Sequence, residues 1–546
     1  MSGFARVGSG TIVGVEAIPV TVECYRGKGL PQTSLVGLAR GAVRESLVRV
    51  RSAISASELT LGSHRIVANL LPAEVPKDAS SLDHALAIAL LAACGIVDTG
   101  ALVGRRFFGE LSLGGRVEPS RGAVLVADLV RQSGEKEIYV PRANAAEAAL
   151  IPHVRVTPVD HLRQLVEHLS GRLEIDAYEP STQTAASEHR VDLSEVAGQP
   201  AGKRALEIAA AGGHNLLMIG PPGSGKTMLA HRIPSLLPPL SLDESTEVTR
   251  IFSAAGALQG RGRIRQAPFR SPHHTSSYSA LCGGGNPLRP GEITLAHRGV
   301  LFLDELPEFG RRELEALREP LEDHCIHVAR TGGRATFPAQ TLVVAAMNPC
   351  PCGFYPGDIP GRRSLGRACT CNFTAVERYR RKISGPLLDR IDMHVCVEPV
   401  PFGEMVESGS GESSATVRER VREARSAQRD RFSGKTLNGQ MTADDLRRHV
   451  PIDSVETRAM LEQAMDDDGL TSRALNRVRR VARTIADLAG AGTVASEHLR
   501  EALGYRVLDR GALGGEYGRV VAAPPPPGEH PPKTSTPAGD GEAERQ

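Results

Sequence analysis

The sequence predicts an α/β core built on a phosphate-binding loop, with an α+β domain before it and a helical domain after it. Three observations predict this. An apolar run, Leu216-Leu-Met-Ile219, leads into Gly220-Pro-Pro-Gly-Ser-Gly-Lys-Thr227, and Met228-Leu-Ala230 then begins a helix. This is G-x-x-x-x-G-K-[ST] in the strand–loop–helix setting that gives the pattern meaning. Two later apolar runs, at 299–303 and 341–347, read as buried parallel strands ending in Asp304-Glu305 and in Asn348. From 417 to about 510 the pattern is helical, rich in Arg, Ala, Leu and Glu.

The elements follow in order. Residues 1–172 alternate strand-like runs (11–15, 20–23, 64–70) with helical ones (42–55, 82–94). A polar linker is expected over 173–190, the α/β core over 191–400, and a Gly/Ser/Glu-rich loop over 401–416. The helical domain is assigned to 417–515. The tail, 516–546, holds Pro524-Pro-Pro-Pro527 and is expected to be disordered, because it has too little apolar surface to offset chain entropy.

Composition excludes several classes. Of 546 residues, 41% are hydrophobic and 23% charged, which is ordinary for a globular protein of three or four folded units. With 65 basic against 63 acidic residues, the net charge of +2 gives no bulk field for nucleic acid, so any such contact must be a local patch. No apolar run is long enough to cross a bilayer, and the first ten residues lack a signal-peptide core. A cytoplasmic protein is expected, with no membrane contact. Its nine cysteines should then be reduced or metal-bound.

The chemistry of the loop is direct. Gly220, Gly223 and Gly225, with Pro221, Pro222 and Ser224 between them, let backbone N–H groups turn inward around phosphates. Lys226 would hold the β- and γ-phosphates, and Thr227 would hold Mg²⁺. Asp304 would join the Mg²⁺ shell and Glu305 would polarise the attacking water. Asn348 would hold that water or merely cap its strand. Arg390, in Leu387-Leu-Asp-Arg-Ile-Asp392, would reach a neighbour's nucleotide or pair internally with Asp389 or Asp392.

These pieces resemble the AAA+ ATPases of the helix-2-insert group, which includes magnesium-chelatase ATPase subunits and the MCM helicases. Phe269-Arg-Ser-Pro-His-His-Thr275, Gly283-Gly-Gly285, Pro290-Gly-Glu-Ile293, the run from Leu295 to Phe309 and Ser384-Gly-Pro-Leu-Leu-Asp-Arg-Ile-Asp392 resemble the YifB/ComM family over about residues 4–510. The resemblance implies an AAA+ P-loop core with a helical lid, closed into a ring, hexameric in that family. It also implies Mg²⁺-dependent ATP hydrolysis and helicase or branch-migration work on single-stranded or branched DNA, as in natural transformation. It implies that Gly198 and Gln199, in Val196-Ala-Gly-Gln199, pack on adenine. Arg390 is implied to be a trans-acting finger and Arg473 the sensor-2 arginine, in cis or in trans. Between the Asp304 and Asn348 strands, His327-Val-Ala-Arg-Thr-Gly-Gly-Arg-Ala-Thr-Phe337 reads as two strands around the turn Gly332-Gly333. In the group resembled, a hairpin there enters the pore. Arg330 and Arg334 would meet phosphates, or be two solvated charges.

Leu70-Leu-Pro-Ala-Glu-Val-Pro-Lys-Asp-Ala-Ser-Ser-Leu-Asp83 and Gly109-Glu-Leu-Ser-Leu-Gly-Gly-Arg-Val-Glu-Pro119 resemble the Lon protease domain, an α+β fold. Ser81 falls near the nucleophile of its Ser–Lys dyad, but the lysine position falls near Val124, and no lysine lies between Lys77 and Lys136. Ser81 is therefore expected to be the N-cap of the 82–94 helix, and the domain non-proteolytic.

Cys350-Pro-Cys352 and Cys369-Thr-Cys371 flank a Gly/Pro/Arg-rich stretch and offer either a tetrahedral Zn²⁺ site or four free thiols. His273-His274 is expected in loop structure or nucleic-acid contact. Two competing functions remain. One is metal insertion into a tetrapyrrole, against which the N-terminal domain speaks. The other is a non-motor ATP switch, against which the intact Lys226, Asp304, Glu305 and Arg390 speak.

Overall fold

The computed structural model describes residues 3–508, except 38–39, 76, 78–79, 180–190, 259–261, 286, 331–332, 356–367, 408–410, 435, 467–468 and 507. The expected tail and most of the expected linker lie outside the described residues.

The first nine strands are β1 (Phe4–Val13), β2 (Glu16–Gly27), β3 (Gln32–Val36), β4 (Arg65–Leu71), β5 (Arg105–Phe107), β6 (Glu110–Leu111), β7 (Val117–Glu118), β8 (Glu137–Pro141) and β9 (Arg155–Val159). Seven of them make one mixed sheet, ordered β3-β4-β2-β1-β5-β8-β9. The helix Asp83–Ala93 is buried on every side beneath it, which fits its Ala/Leu/Ile composition. Buried Asp83 is held by Arg49 Nε at 2.7 Å and by the Ser46 hydroxyl at 2.7 Å.

Ser81 is not the N-cap of that helix. It lies in a 3₁₀ turn, Ser80–Leu82, and Leu82 holds the cap position with no side-chain bond. The backbone of Gly109 serves instead: its carbonyl accepts from His84 N at 3.2 Å and its N–H donates to Ser81 O at 3.1 Å. A Cβ on Gly109 would sit 3.0 Å from both Pro141 and Val117, at φ +143, so the close approach requires glycine. Val124 is buried in an apolar cluster, and Lys77 Nζ is engaged by the carbonyls of Gly37, Pro72 and Val75.

Residues 173–179 pack on this sheet: Ile175 is buried and Tyr178 N donates to Val156 O at 2.7 Å. The next strands are β10 (Leu216–Ile219), β11 (Phe269–Arg270), β12 (Val300–Leu303), β13 (Cys325–Arg330), β14 (Gly333–Pro338), β15 (Leu342–Met347) and β16 (Met393–Cys396). Five form a sheet ordered β11-β12-β15-β10-β16, every neighbour parallel. β10, β12 and β15 are wholly buried, which is why they read as unbroken apolar runs.

The helix Leu242–Ala255 joins this unit to the first through Val248, Ile251 and Phe252, which pack with Val124 and Ala127. On the other side, helices Ser414–Arg431, Val455–Asp466, Ser472–Leu488 and Ser496–Gly504 share one core with Leu206, Ala210 and Met218. The expected loop over 401–416 is partly helical: Phe402–Glu407 forms a helix, and the next begins at Ser414. The Ser413 hydroxyl caps that second helix by accepting from Thr416 N, so the serines of a loop-like composition start a helix.

Candidate functional site

A parallel sheet brings the carboxyl ends of its strands to one edge. Gly220, Asp304 and Asn348 follow β10, β12 and β15 there. Gly223 and Gly225 have φ of +75 and +89, conformations that glycine adopts freely and that turn the loop back on itself. Lys226 is 8% exposed, and its Nζ donates to Gly220 O at 2.8 Å, Pro221 O at 2.9 Å and Asn348 Oδ1 at 3.2 Å. Burial pulls its pKa down to about 8 against the opposing pull of Asp304 and Glu305.

Thr227 Oγ1 lies 2.9 Å from Asp304 Oδ2. Two hard oxygens converging beside the lysine suit Mg²⁺. The Ser224 hydroxyl is buried without a partner among the described residues, a donor left over inside the loop. Both observations fit a bound nucleotide with its metal. Gln199, at φ +58, donates Nε2 to Ser224 O at 3.0 Å and to Glu398 O, so the segment after Gly198 is tied to the back of the loop.

Glu305 also takes positive φ, +51, its N–H donating to Asp304 Oδ1 at 2.9 Å. Its carboxylate lies 3.3 Å from His274 Nδ1. Sequence reasoning missed this contact, assigning His273-His274 to loop structure or nucleic acid. The signal was indirect: His274 follows β11, and β11 pairs with β12, the strand that delivers Glu305.

Arg390 lies at the other edge. Leu216 pairs with Met393 and Ile219 with Cys396, so the amino ends of β10 and β16 lie together, away from Gly220. Arg390 donates to Pro386 O at 2.8 Å and pairs with Glu322, not with Asp389 or Asp392. Asp392 instead accepts from Asn215 N at 2.9 Å and pairs with Arg477 at 2.5 Å. Arg473, exposed at the start of the Ser472–Leu488 helix, joins Arg390 and Arg477 in lowering the pKa of Glu322, after the direct Arg390 bond. Arg390 and Arg473 therefore belong to one charged face.

β13 and β14 form a two-stranded hairpin with Arg330 opposite Gly333 and Ala329 opposite Arg334. Positions 331–332 make the connection and lie outside the described residues. Gly333 pairs with Arg330 in the ladder, while Gly332, the other half of the expected turn, is among the residues not described. Arg334, in β14, is exposed.

The four cysteines converge. Their sulfurs all lie within 4.8 Å of one another, with Cys350–Cys352 at 3.3 Å, Cys350–Cys369 at 3.8 Å and Cys352–Cys369 at 3.5 Å.

This sheet order, glycine loop and acidic strand end define a P-loop ATPase fold. The descriptions "Magnesium chelatase, subunit ChlI" and "Magnesium chelatase, subunit ChlI C-terminal" match residues 192–405 and 411–506. YifB of Escherichia coli K12, an uncharacterized protein, is 44% identical over 91% of this chain and 96% of its own. The competence protein ComM of Haemophilus influenzae is 40% identical over 93% of this chain and 98% of its own. The chain belongs to the YifB/ComM family of magnesium-chelatase-like AAA+ ATPases. A DNA replication licensing factor of Drosophila melanogaster is 25% identical over 41% of this chain and 26% of its own. Residues 22–144 match "Subunit ChlI of Mg-chelatase". No helix among the described residues is long and apolar enough to cross a membrane.

Proposed function

We propose that this protein is an ATP-hydrolysing motor that closes into a ring, of six subunits, and moves on DNA as a helicase or branch-migration enzyme in the cytoplasm. One observation carries the ring. Arg390 and the phosphate loop lie at opposite edges of one parallel sheet, separated by strands of four residues, roughly 13 Å at ~3.3 Å each. Arg390 therefore serves the loop of a neighbour, and Arg473, on the same face, acts in trans with it.

Within each site, Lys226 holds the β- and γ-phosphate oxygens of ATP, Gly198 and Gln199 back the adenine side, and Asn348 and Glu305 hold and polarise the attacking water. Thr227 and Asp304 would hold Mg²⁺, which supplies charge neutralisation and a template for the phosphates. The chain's own groups orient the water, receive its proton and exclude solvent. The helices from 417 onward form the lid. The N-terminal domain is Lon-protease-like and non-proteolytic, since no lysine lies between Lys77 and Lys136, where the dyad's base would fall.

DNA is favoured as the track by the likeness to a DNA replication licensing factor and by the β13–β14 hairpin carrying Arg330 and Arg334. ATP turnover measured with no DNA, single strands, duplex and branched DNA tests this. Stimulation by single-stranded or branched DNA is expected. Stimulation only by a tetrapyrrole-binding partner would favour metal insertion, which the chelatase description of residues 22–144 keeps open.

A further inference from the structure

The Cys350–Cys371 cluster lies against the nucleotide loop rather than apart from it. Cys350 follows Asn348-Pro349 directly, at the end of the strand that reaches Lys226. Arg380 donates to Pro349 O from Nε at 3.2 Å and from Nη2 at 3.1 Å, while its guanidinium covers Tyr355 at 5.2 Å. Gly353 N donates to Cys350 O at 3.0 Å, closing a tight turn between the first two sulfurs and the loop. At φ +84, Gly353 lies so close to Pro222 that a Cβ there would sit 2.4 Å from its Cδ and 2.7 Å from its Cγ. Sulfur, turn and phosphate loop form one continuous path of touching atoms.

We propose that Cys350, Cys352, Cys369 and Cys371 bind one Zn²⁺, and that this metal braces the phosphate loop through Gly353 against Pro222. A tetrahedron with Zn–S of ~2.3 Å has sulfurs about 3.8 Å apart. Among Cys350, Cys352 and Cys369 the separations of 3.3, 3.5 and 3.8 Å are close to that spacing, and the Cys371 sulfur lies within 4.8 Å of all three. Four thiolates with no other donor set select a soft tetrahedral ion. Binding releases the four thiol protons to solvent and leaves a site of net charge −2. Cys350 is fully buried while the other three are half-buried, as in a knot at the edge of a core. The consequence is functional: losing Zn²⁺ frees the Gly353 turn, and the loop loses the backing on its Pro222 side.

The bracing half of the proposal rests on residues 220–227 being the nucleotide loop, and the experiment separates the two. The full-length protein, purified without chelators, is assayed for zinc and iron per chain and for affinity toward a fluorescent ADP analogue. Cobalt is then exchanged in to read its thiolate charge-transfer band. Expected are one zinc per chain, a band typical of four sulfurs, and loss of metal in Cys352→Ser and Cys371→Ser, with Cys94→Ser keeping it. After zinc removal and restoration of excess Mg²⁺, nucleotide affinity should fall about tenfold, or ~1.4 kcal/mol. Circular dichroism should stay unchanged. Gly353→Ala should keep its zinc yet lose affinity to a similar degree. No metal, iron in place of zinc, or a cobalt spectrum without the band overturns the site. Full zinc with affinity indifferent to its removal and to Gly353→Ala overturns the bracing. A zinc-loaded wild type that binds no nucleotide refutes the loop reading and leaves the metal site standing.

Discussion

The two edges of the five-stranded sheet are built in opposite ways. At the carboxyl edge, charged groups converge on space for an incoming anion: Lys226 is met by carbonyls and an amide, and Thr227 faces Asp304. At the amino edge, charges satisfy one another, Arg390 with Glu322 and Asp392 with Arg477. The first edge is a cradle and the second a store of arginines held ready by carboxylates. In the proposed ring, the difference means that one chain would carry two halves of a site, its cradle at one edge and its arginine face at the other. There Arg390 would exchange the exposed carboxylate of Glu322 for a neighbour's phosphates.

The largest effect should come from the cradle. Lys226→Ala is expected to lose nucleotide binding and turnover entirely, and residual turnover near wild type would remove the lysine from its role. Arg390→Ala should bind ATP normally but hydrolyse it about a thousandfold more slowly, as loss of a finger does. Loss of binding instead would mark it as part of the cradle. Glu305→Gln should retain ATP and slow turnover by about a hundredfold, read as ATP trapped on the protein.

Smaller effects come from groups outside the phosphate cradle. Replacing Arg330 and Arg334 together by Ala should leave basal ATPase intact and flatten the salt dependence of single-strand binding, by about 0.7 in log–log slope for each phosphate no longer neutralised. An unchanged slope would rule out the hairpin as the DNA element. Smallest of all, His274→Ala should lower kcat by about tenfold at constant KM for ATP, the low end of the scale of one hydrogen bond to a charged group. A change in KM alone would show that His274 does not act through Glu305.

What was legible in the sequence follows the same division. β10, β12 and β15 announce themselves because a strand buried on both faces must be continuously apolar, and the residues that follow them, Gly220, Asp304 and Asn348, then mark the candidate site. The partners across the fold were not legible. Arg390 and Glu322 stand 68 positions apart and meet only through the sheet, so the expected partners Asp389 and Asp392 were too local. His274 reaches Glu305 only because β11 lies beside β12. Ser81 carries the right residue type for a cap but loses the position to the backbone of Gly109, a tertiary neighbour that no local pattern contains. The strand-like runs on either side of Gly332-Gly333 signalled the β13–β14 hairpin, because a glycine pair between two alternating runs favours a tight reversal.

The central claim is that each ATP site is assembled from two chains, and mixing two dead proteins tests it most directly. Lys226→Ala spoils the cradle and leaves the arginine face, and Arg390→Ala does the reverse. In rings of proven one-to-one composition, about a quarter of head-to-tail interfaces pair an intact cradle with an intact face. ATP turnover should therefore reappear, at up to about that fraction of wild type. Mixed rings as inactive as either parent would contradict the account, because Arg390 would then have to act within its own chain.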